Sequence, residues 1–363
     1  MMRMQIKQNS VCGVLVVLLV FSSVAFTQIK PRHLSDFSEG LVAVNEPARE
    51  PKGKVPWFKH WGKFAYAQAN GQAKEAEAGN KPVPADASLD AAAAELEGAM
   101  LRKKSDLDGA IRAYREAIQL NPFNAHLHTV LANMLYDKRE FDAAIKELDE
   151  AIRLDPNVAS AYYFRGASYQ EKAEYYKALV DYNRALHFDP QYASARGGRA
   201  NVYYFTRQNR LAIEDYTAYI EAFPKSSVAY LRRAACHYAL GEYLQTITDY
   251  EKAIALDFNL LEAINGLAWT LATAPVDGLR NGIKAVGYGE RALSLAGETQ
   301  KFLYLDTLAA AYAEAGRFTD AVATQTKAIS LIPKNYEVKE AAQFKVRFQA
   351  YKDNKPWRDQ SQP

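Results

Sequence analysis

Small and apolar residues recur along residues 91–335 with a period of 34 residues. Alanine-rich amphipathic segments, which are typical of helices, each end at one of four equally spaced prolines: Pro122, Pro156, Pro190 and Pro224. Small residues recur in phase at Ala110, Ala144, Ala178 and Ala212, and large ones at Tyr114, Leu148, Tyr182, Tyr216 and Tyr250. The pattern predicts pairs of antiparallel helices that touch at the small residues, with proline ending the second helix of each pair.

This arrangement of small residues, large residues and terminal proline resembles the tetratricopeptide repeat (TPR). The resemblance implies an all-α fold, a TPR α-solenoid of about seven helix-turn-helix repeats, in which the first helix of each repeat lines a concave groove. We expect the repeats at 91–124, 125–158, 159–192, 193–226, 227–260, 261–301 and 302–335. A capping helix at 336–352 and a tail at 353–363 follow.

One repeat departs from the pattern at its helix contact. In the fourth repeat Tyr219 stands where an alanine is expected. A large ring at that place predicts that the contact between the two helices opens slightly.

The N-terminus has the pattern of an export signal. Arg3 and Lys7 precede an uncharged apolar run, and small residues follow it at Ser23 and Ala25. We expect residues 1–25 to be a signal peptide cleaved after Ala25, which places the protein outside the cytoplasm, in the periplasm of a bacterial envelope. The alternative is a retained anchor at residues 11–26 that tethers the chain to the membrane.

Residues 26–88 read as a proline-interrupted linker with one patterned segment at 36–72. That segment opens with Phe37-Ser38-Glu39-Gly40-Leu41 and later carries the pair Trp61-Gly62. It resembles a single WG repeat, which implies a small β-hairpin unit. The alternatives are a degenerate relic of such a repeat or a flexible linker.

Composition and charge limit the classes of function. The chain of 363 residues has 49% hydrophobic and 24% charged residues, which is typical of a packed protein. Its formal net charge of +3 is too small for the basic face of a nucleic-acid-binding protein, so we expect no nucleic-acid partner. Tyrosine is abundant, and 15 of the 23 tyrosines fall between residues 159 and 260.

Arginine and aspartate vary together in repeats three, four and five. Each arginine is followed sixteen residues later by an aspartate, which gives the pairs Arg165 and Asp181, Arg199 and Asp215, and Arg233 and Asp249. One interpretation is a basic ladder that grips an acidic ligand. Because the two signs always occur together, we favour a ladder of structural ion pairs between helices.

We find no catalytic or metal-binding constellation. His126 and His128 lie two residues apart and face different sides of a helix, and no zinc-protease, Walker or serine-hydrolase motif occurs. Cys236 lies among small residues and reads as a buried hydrophobic residue rather than a nucleophile. We therefore expect no enzyme activity, no cofactor and no metal.

The remaining chemistry is recognition of another protein. By repeat position, the residues expected to face the groove include Asn133, Tyr136, Tyr163, Gln170, Asn201, Tyr204, Phe205, Leu231 and Tyr238. Asparagines at these places can bond a ligand backbone, and tyrosines offer apolar area with a polar tip. We expect a non-enzymatic adaptor of the cell envelope that binds a protein segment of unknown identity. The alternative is a structural repeat protein that self-associates.

Overall fold

A computed structural model describes residues 85–103 and 106–359. These residues form fifteen α-helices and two single 3₁₀ turns, with no strand among them. The predicted all-α repeat class is therefore confirmed. The signal or anchor segment at 1–25 and the WG-like unit at 36–72 lie outside the described residues.

Contacts divide the described chain into two units, with the division after Leu267. The helices that begin in the N-terminal unit are α1 Ala85–Lys103, α2 Leu107–Leu120, α3 Ala125–Asp137, α4 Phe141–Leu154, α5 Ala159–Glu171, α6 Tyr175–Phe188, α7 Ala193–Phe205, α8 Asn209–Ala222, α9 Ser227–Ala239, α10 Tyr243–Leu256 and α11 Leu261–Thr273. Those of the C-terminal unit are α12 Gly282–Leu295, α13 Lys301–Glu314, α14 Phe318–Ser330 and α15 Val338–Lys352. None of the described helices combines the length and apolar character needed to cross a bilayer.

The first helix begins earlier than the sequence suggested. Residues 85–88 were assigned to the linker, yet α1 starts at Ala85. Alanine and leucine favour helix here, and no proline occurs between Ala85 and Lys103 to interrupt it.

Helices of the N-terminal unit pack in pairs joined by tight turns. Each first helix (α3, α5, α7, α9) contacts the second helix that follows it, and the short connection makes the two antiparallel. First helices also contact one another from repeat to repeat, α3 with α5, α5 with α7 and α7 with α9. We call the side of α3, α5, α7 and α9 that faces away from the second helices the inner surface.

Packing within the pairs depends on the alanines that recur every 34 residues. Ala110, Ala144, Ala178 and Ala212 are fully buried, which lets the helix backbones approach closely. The in-phase large residues Leu148, Tyr182, Tyr216 and Tyr250 are also fully buried and fill the space between successive pairs.

The turn inside each pair needs a left-handed residue. Arg139, Ala173 and Arg207 have φ of 64°, 57° and 59°, and in the next repeat the place is taken by Gly241 with φ of 74°. This conformation strains any residue with a Cβ, so three of the four turns carry a cost that the fourth avoids.

Tyr219 is accommodated by a glycine on the facing helix. Its ring is buried, and the facing residue on α7 is Gly197. A Cβ added to Gly197 would lie 2.6 Å from Tyr219 Cδ2. The missing side chain on one helix therefore makes room for the extra ring on the other.

In the C-terminal unit a buried ion pair joins α13 to α15. Arg347 Nε donates to Asp306 Oδ1 at 2.9 Å, and its Nη2 lies 2.8 Å from Asp306 Oδ2. Gln325 Nε2 on α14 donates to the same Oδ1 at 2.7 Å. The charges are thus paired and hydrogen-bonded, as buried charges require.

Candidate functional site

The nine residues predicted to face the groove divide by exposure. Four are half-buried: Asn133, Tyr136, Tyr204 and Phe205. Five are buried: Tyr163, Gln170, Asn201, Leu231 and Tyr238. The half-buried side chains are the ones whose atoms a partner can contact directly.

Tyr163 and Tyr238 do not present their rings as the repeat position suggested. Each is 4% exposed. The ring of Tyr163 lies 5.1 Å from that of Tyr192 and 6.1 Å from that of Tyr182, and burial raises the pKa of its hydroxyl. Tyr238 packs edge-on against Tyr243 at 5.7 Å. Both rings hold neighbouring helices together, because large side chains from the next helix cover them.

A cluster on the inner surface brings together three predicted residues and two that were not predicted. We call Tyr175, Asn201, Tyr204, Phe205 and Arg232 the Phe205 cluster. The Phe205 ring is stacked on that of Tyr175 at 5.9 Å and lies edge-on to that of Tyr204 at 5.4 Å. The guanidinium carbon of Arg232 lies 5.6 Å from the centre of the Phe205 ring, within reach of a cation–π contact.

A hydrogen-bond network under this cluster orients its polar groups. Asn201 Oδ1 accepts from the Tyr216 hydroxyl at 2.7 Å and from Arg232 Nη1 at 2.5 Å. Asn201 Nδ2 is buried and has no hydrogen-bond partner in the described part of the chain. A buried donor without an acceptor costs free energy, and because Asn201 is 1% exposed a partner does not contact it directly.

Arg232 was missed because it departs from the repeat. Two other repeats carry Gly198 and Gly266 at this position, each pressed against the tyrosine of the preceding repeat. A Cβ on Gly198 or Gly266 would lie 2.5 or 2.6 Å from Cζ of Tyr182 or Tyr250. An arginine in place of such a glycine is the sequence feature that could have identified Arg232. Its guanidinium cannot occupy the space against the tyrosine and must contact a polar partner elsewhere.

A second aromatic group lies at the α3 end of the inner surface. The ring of Tyr136 is 5.6 Å from that of Phe141, and Arg139 lies over the Phe141 ring at 5.2 Å. Burial, followed by the nearby Glu171 carboxylate, raises the pKa of the Tyr136 hydroxyl, which therefore remains protonated and able to donate. Asn133 is half-buried on α3.

Each predicted arginine and aspartate pair is in contact. Arg165, Arg199 and Arg233 each donate two hydrogen bonds, from Nε and Nη2, to the aspartate sixteen residues later, at 2.7–2.8 Å. Each Nη1 also reaches back to the second helix of the preceding repeat, to Asp149 at 2.6 Å, Asn183 at 2.7 Å and Thr217 at 3.0 Å. One guanidinium thus links three helices.

The arginines of this ladder use most of their hydrogen-bond donors within the protein, so few remain for a ligand. Asp181, Asp215 and Asp249 are buried, and each takes two of the hydrogen bonds of its arginine. Burial raises the pKa of the Asp181 carboxyl, while the hydrogen bonds from Arg165 oppose that rise. The geometry favours the interpretation of the ladder as a fastening between repeats.

Reactive chemistry is scarce in the described residues. Burial raises the pKa of the Cys236 thiol to about 12, so it is protonated at neutral pH and a weak nucleophile. No group of three or more histidine, cysteine, aspartate or glutamate residues suited to a metal ion occurs within 85–103 and 106–359.

Two segments of this chain match families of repeat proteins. Residues 132–172 match the family described as TPR repeat, and residues 198–257 match the one described as tetratricopeptide repeat. The chain therefore contains tetratricopeptide repeats, a fold that is typically a non-enzymatic interaction scaffold. No match was found among curated protein sequences.

One solved structure, with a TM-score of 0.50, shows the same fold. The chain is similar to pilF of Pseudomonas aeruginosa, with 17% identity and a TM-score of 0.50 over 61% of this chain and 96% of that one. It is also similar to a tetratricopeptide repeat protein of Parabacteroides merdae, with 20% identity and a TM-score of 0.47 over 71% and 99% of the two chains. YrrB, described as a TPR protein with an unusual peptide-binding site, matches with 22% identity and a TM-score of 0.47 over 53% and 96%.

Proposed function

We propose that this protein is a non-enzymatic scaffold of the cell envelope that binds an extended segment of another protein across the inner surface. The Phe205 cluster is the observation that carries the proposal. It combines half-buried aromatic rings with a guanidinium that lies over one of them and is oriented by its hydrogen bond to Asn201. Aromatic residues and arginine are the side chains that most often dominate binding at protein interfaces.

The chemistry of the cluster defines the kind of segment. The half-buried rings of Tyr204 and Phe205 suit an aliphatic or aromatic side chain. A segment that is extended when bound presents such a side chain and leaves its backbone carbonyls able to accept hydrogen bonds. Binding by shape and apolar area agrees with the small net charge of +3.

The envelope location rests on the sequence of residues 1–25, which resembles an export signal. Fractionation of source cells, with mass spectrometry of the N-terminal peptide, tests it. A mature N-terminus at Phe26 in the extracytoplasmic fraction supports the proposal. A cytoplasmic protein that retains Met1 would contradict it.

The binding proposal is tested by substitutions at half-buried residues of the cluster, with circular dichroism to verify that the variants fold. Tyr204→Ala combined with Phe205→Ala is the test variant, and Tyr176→Ala is the control, because Tyr176 is 80% exposed on the second helix α6. Tyr163→Ala and Tyr238→Ala are unsuitable, since both rings are buried. We expect the test variant to lose its partner in quantitative co-purification and the control to retain it. Equal recovery with both variants, at unchanged circular dichroism, would refute the use of the inner surface.

A second candidate function is self-association through the second helices. Its specific support is a set of exposed apolar side chains on α6 and α10: Tyr176, Val180 and Leu244. Sedimentation velocity over a range of concentrations tests this candidate. A dimer that dissociates on Leu244→Glu would favour it, and a monomer at every concentration would exclude it.

A further inference from the structure

The C-terminal segment 353–359 begins with a turn at 353–354 and docks back onto its own unit. It follows α15 and contains no helix. The backbone N–H of Asp359 donates to the carbonyl of Thr273 at 2.9 Å. Arg358 Nη1 lies 2.7 Å from Glu314 Oε2, and the ring of Trp357 lies 5.8 Å from the guanidinium carbon of Arg347.

The residues that receive this segment occupy the repeat positions of the inner surface. Trp269, which also lies against Arg347 at 5.5 Å, follows Asn133 by four periods of 34. Thr273 follows Phe205 by two such periods, and Glu314 holds the same place in the next repeat. The segment thus lies where the TPR pattern places a ligand.

The receiving site is built without the docked segment. Glu314 Oε1 accepts from Arg280 Nε at 3.0 Å, and Arg280 is itself anchored to the carbonyl of Ala274 at 2.9 Å. Arg347 is held by the buried Asp306 and lies against Phe344 at 5.1 Å. Glu314 and Arg347 therefore keep their positions when the segment is absent.

Contacts of several kinds hold the segment. They include the backbone hydrogen bonds of Asp359 to Thr273 and of Lys355 to Ala350, the Arg358 ion pair and the Trp357 ring over Arg347. The Arg358 side chain is 34% exposed and that of Glu314 is 14% exposed, so water screens their ion pair only in part. Main-chain hydrogen bonds combined with side-chain contacts of these kinds also bind extended peptides.

We propose that the surface of the C-terminal unit formed by Trp269, Thr273, Glu314 and Arg347 is a second binding site. Its ligand class is an extended segment with an aromatic residue followed by arginine. The chain's own Trp357-Arg358-Asp359 occupies this site as an intramolecular ligand. The proposal is independent of the proposed function of the N-terminal unit.

The test uses a chain that ends at Lys352 and a fluorescently labelled peptide of residues 353–359, DNKPWRD. We expect saturable one-to-one binding to the shortened chain. The full chain should bind the peptide at least tenfold more weakly, because its tethered segment competes at an effective concentration in the millimolar range. Peptides with Arg358→Glu or Trp357→Ala should each bind about tenfold more weakly than the natural sequence. Glu314→Gln in the shortened chain should have a similar effect.

Absence of saturable binding by a folded shortened chain would overturn the proposal. So would equal binding of the natural and Arg358→Glu peptides. If the shortened chain does not fold, a protease cleavage sequence inserted after Asn354 allows the segment to be cut in the folded protein. The site is then a binding site if excess labelled peptide displaces the cut segment. If the cut segment cannot be displaced, it is a fixed part of the fold and the proposal fails.

Discussion

Removal of one carboxylate from the arginine–aspartate ladder tests what the ladder does. In Asp215→Ala the guanidinium of Arg199 loses two hydrogen bonds and its counter-ion, and keeps Asn183 Oδ1 as an acceptor. Breaking a fully buried ion pair costs about 3–5 kcal/mol. The side chain of Asp215 is 5% exposed and that of Arg199 is 22% exposed, so water relieves part of this cost. We expect a loss of about 2–3 kcal/mol in the free energy of unfolding.

The neighbouring pair provides a matched variant. In Asp181→Ala the guanidinium of Arg165 keeps a second carboxylate, Asp149, at 2.6 Å. The cost should therefore fall to about 1 kcal/mol, although the two aspartates occupy the same place in their repeats. The difference in unfolding free energy between the two variants therefore measures the effect of the acceptor that remains for the arginine, and not the effect of the position in the repeat.

Urea unfolding followed by circular dichroism measures these losses, and hydrogen exchange in α7 and α8 reports the local effect. Local data are needed because repeat arrays can unfold in parts. A double-mutant cycle with Arg199→Met and Asp215→Leu should give a coupling of about 1–3 kcal/mol. A coupling near zero, or equal losses in Asp215→Ala and Asp181→Ala, would refute the fastening role.

Three further predictions concern stability and reactivity. Ala173→Gly should stabilise the protein by about 0.5–1 kcal/mol, because Ala173 has φ of 57°, whereas Ala93→Gly in α1 should destabilise it; thermal melts decide between these signs. The hydrogen bond to Glu147 raises the pKa of His128 above 6.5, so its contribution to stability is complete below about pH 6.5 and is lost as the pH rises through the folded-state pKa. The stability advantage over His128→Gln should therefore shrink between pH 6 and 9, and a constant difference would contradict this. Cys236 should react with a thiol reagent only after unfolding, since its pKa is about 12 and it is fully buried; stoichiometric labelling of the native protein would be the contrary result.

The repeat architecture could be predicted because residues close together in the sequence determine each helix pair. The alanine period places Ala144, Ala178 and Ala212 at the helix contacts, where the structure buries them. The joint occurrence of arginine and aspartate sixteen residues apart could be used in the same way, because a fixed offset within a repeat brings two positions together every time.

Depth along the inner surface could not be predicted from repeat position alone. Tyr163 and Tyr204 both lie on first helices. The ring of Tyr192 covers Tyr163, which is buried, whereas Tyr204 is half-buried. Arg232 donates to Asn201 from the next repeat. The repeat pattern predicts contacts within a helix pair and does not predict this contact between repeats. The docking of Trp357 against Arg347 depends on where the chain turns after α15, which no periodicity encodes.

Site-specific photo-crosslinking tests the use of the inner surface most directly. A photoreactive phenylalanine analogue replaces Phe205 in one variant and Tyr176 in another, and both are irradiated in intact source cells. We expect one discrete crosslinked protein from position 205, lost when Tyr204→Ala and Asn201→Leu are added, and none of the same mass from position 176. A product from position 176 with none from position 205 would contradict binding at the inner surface.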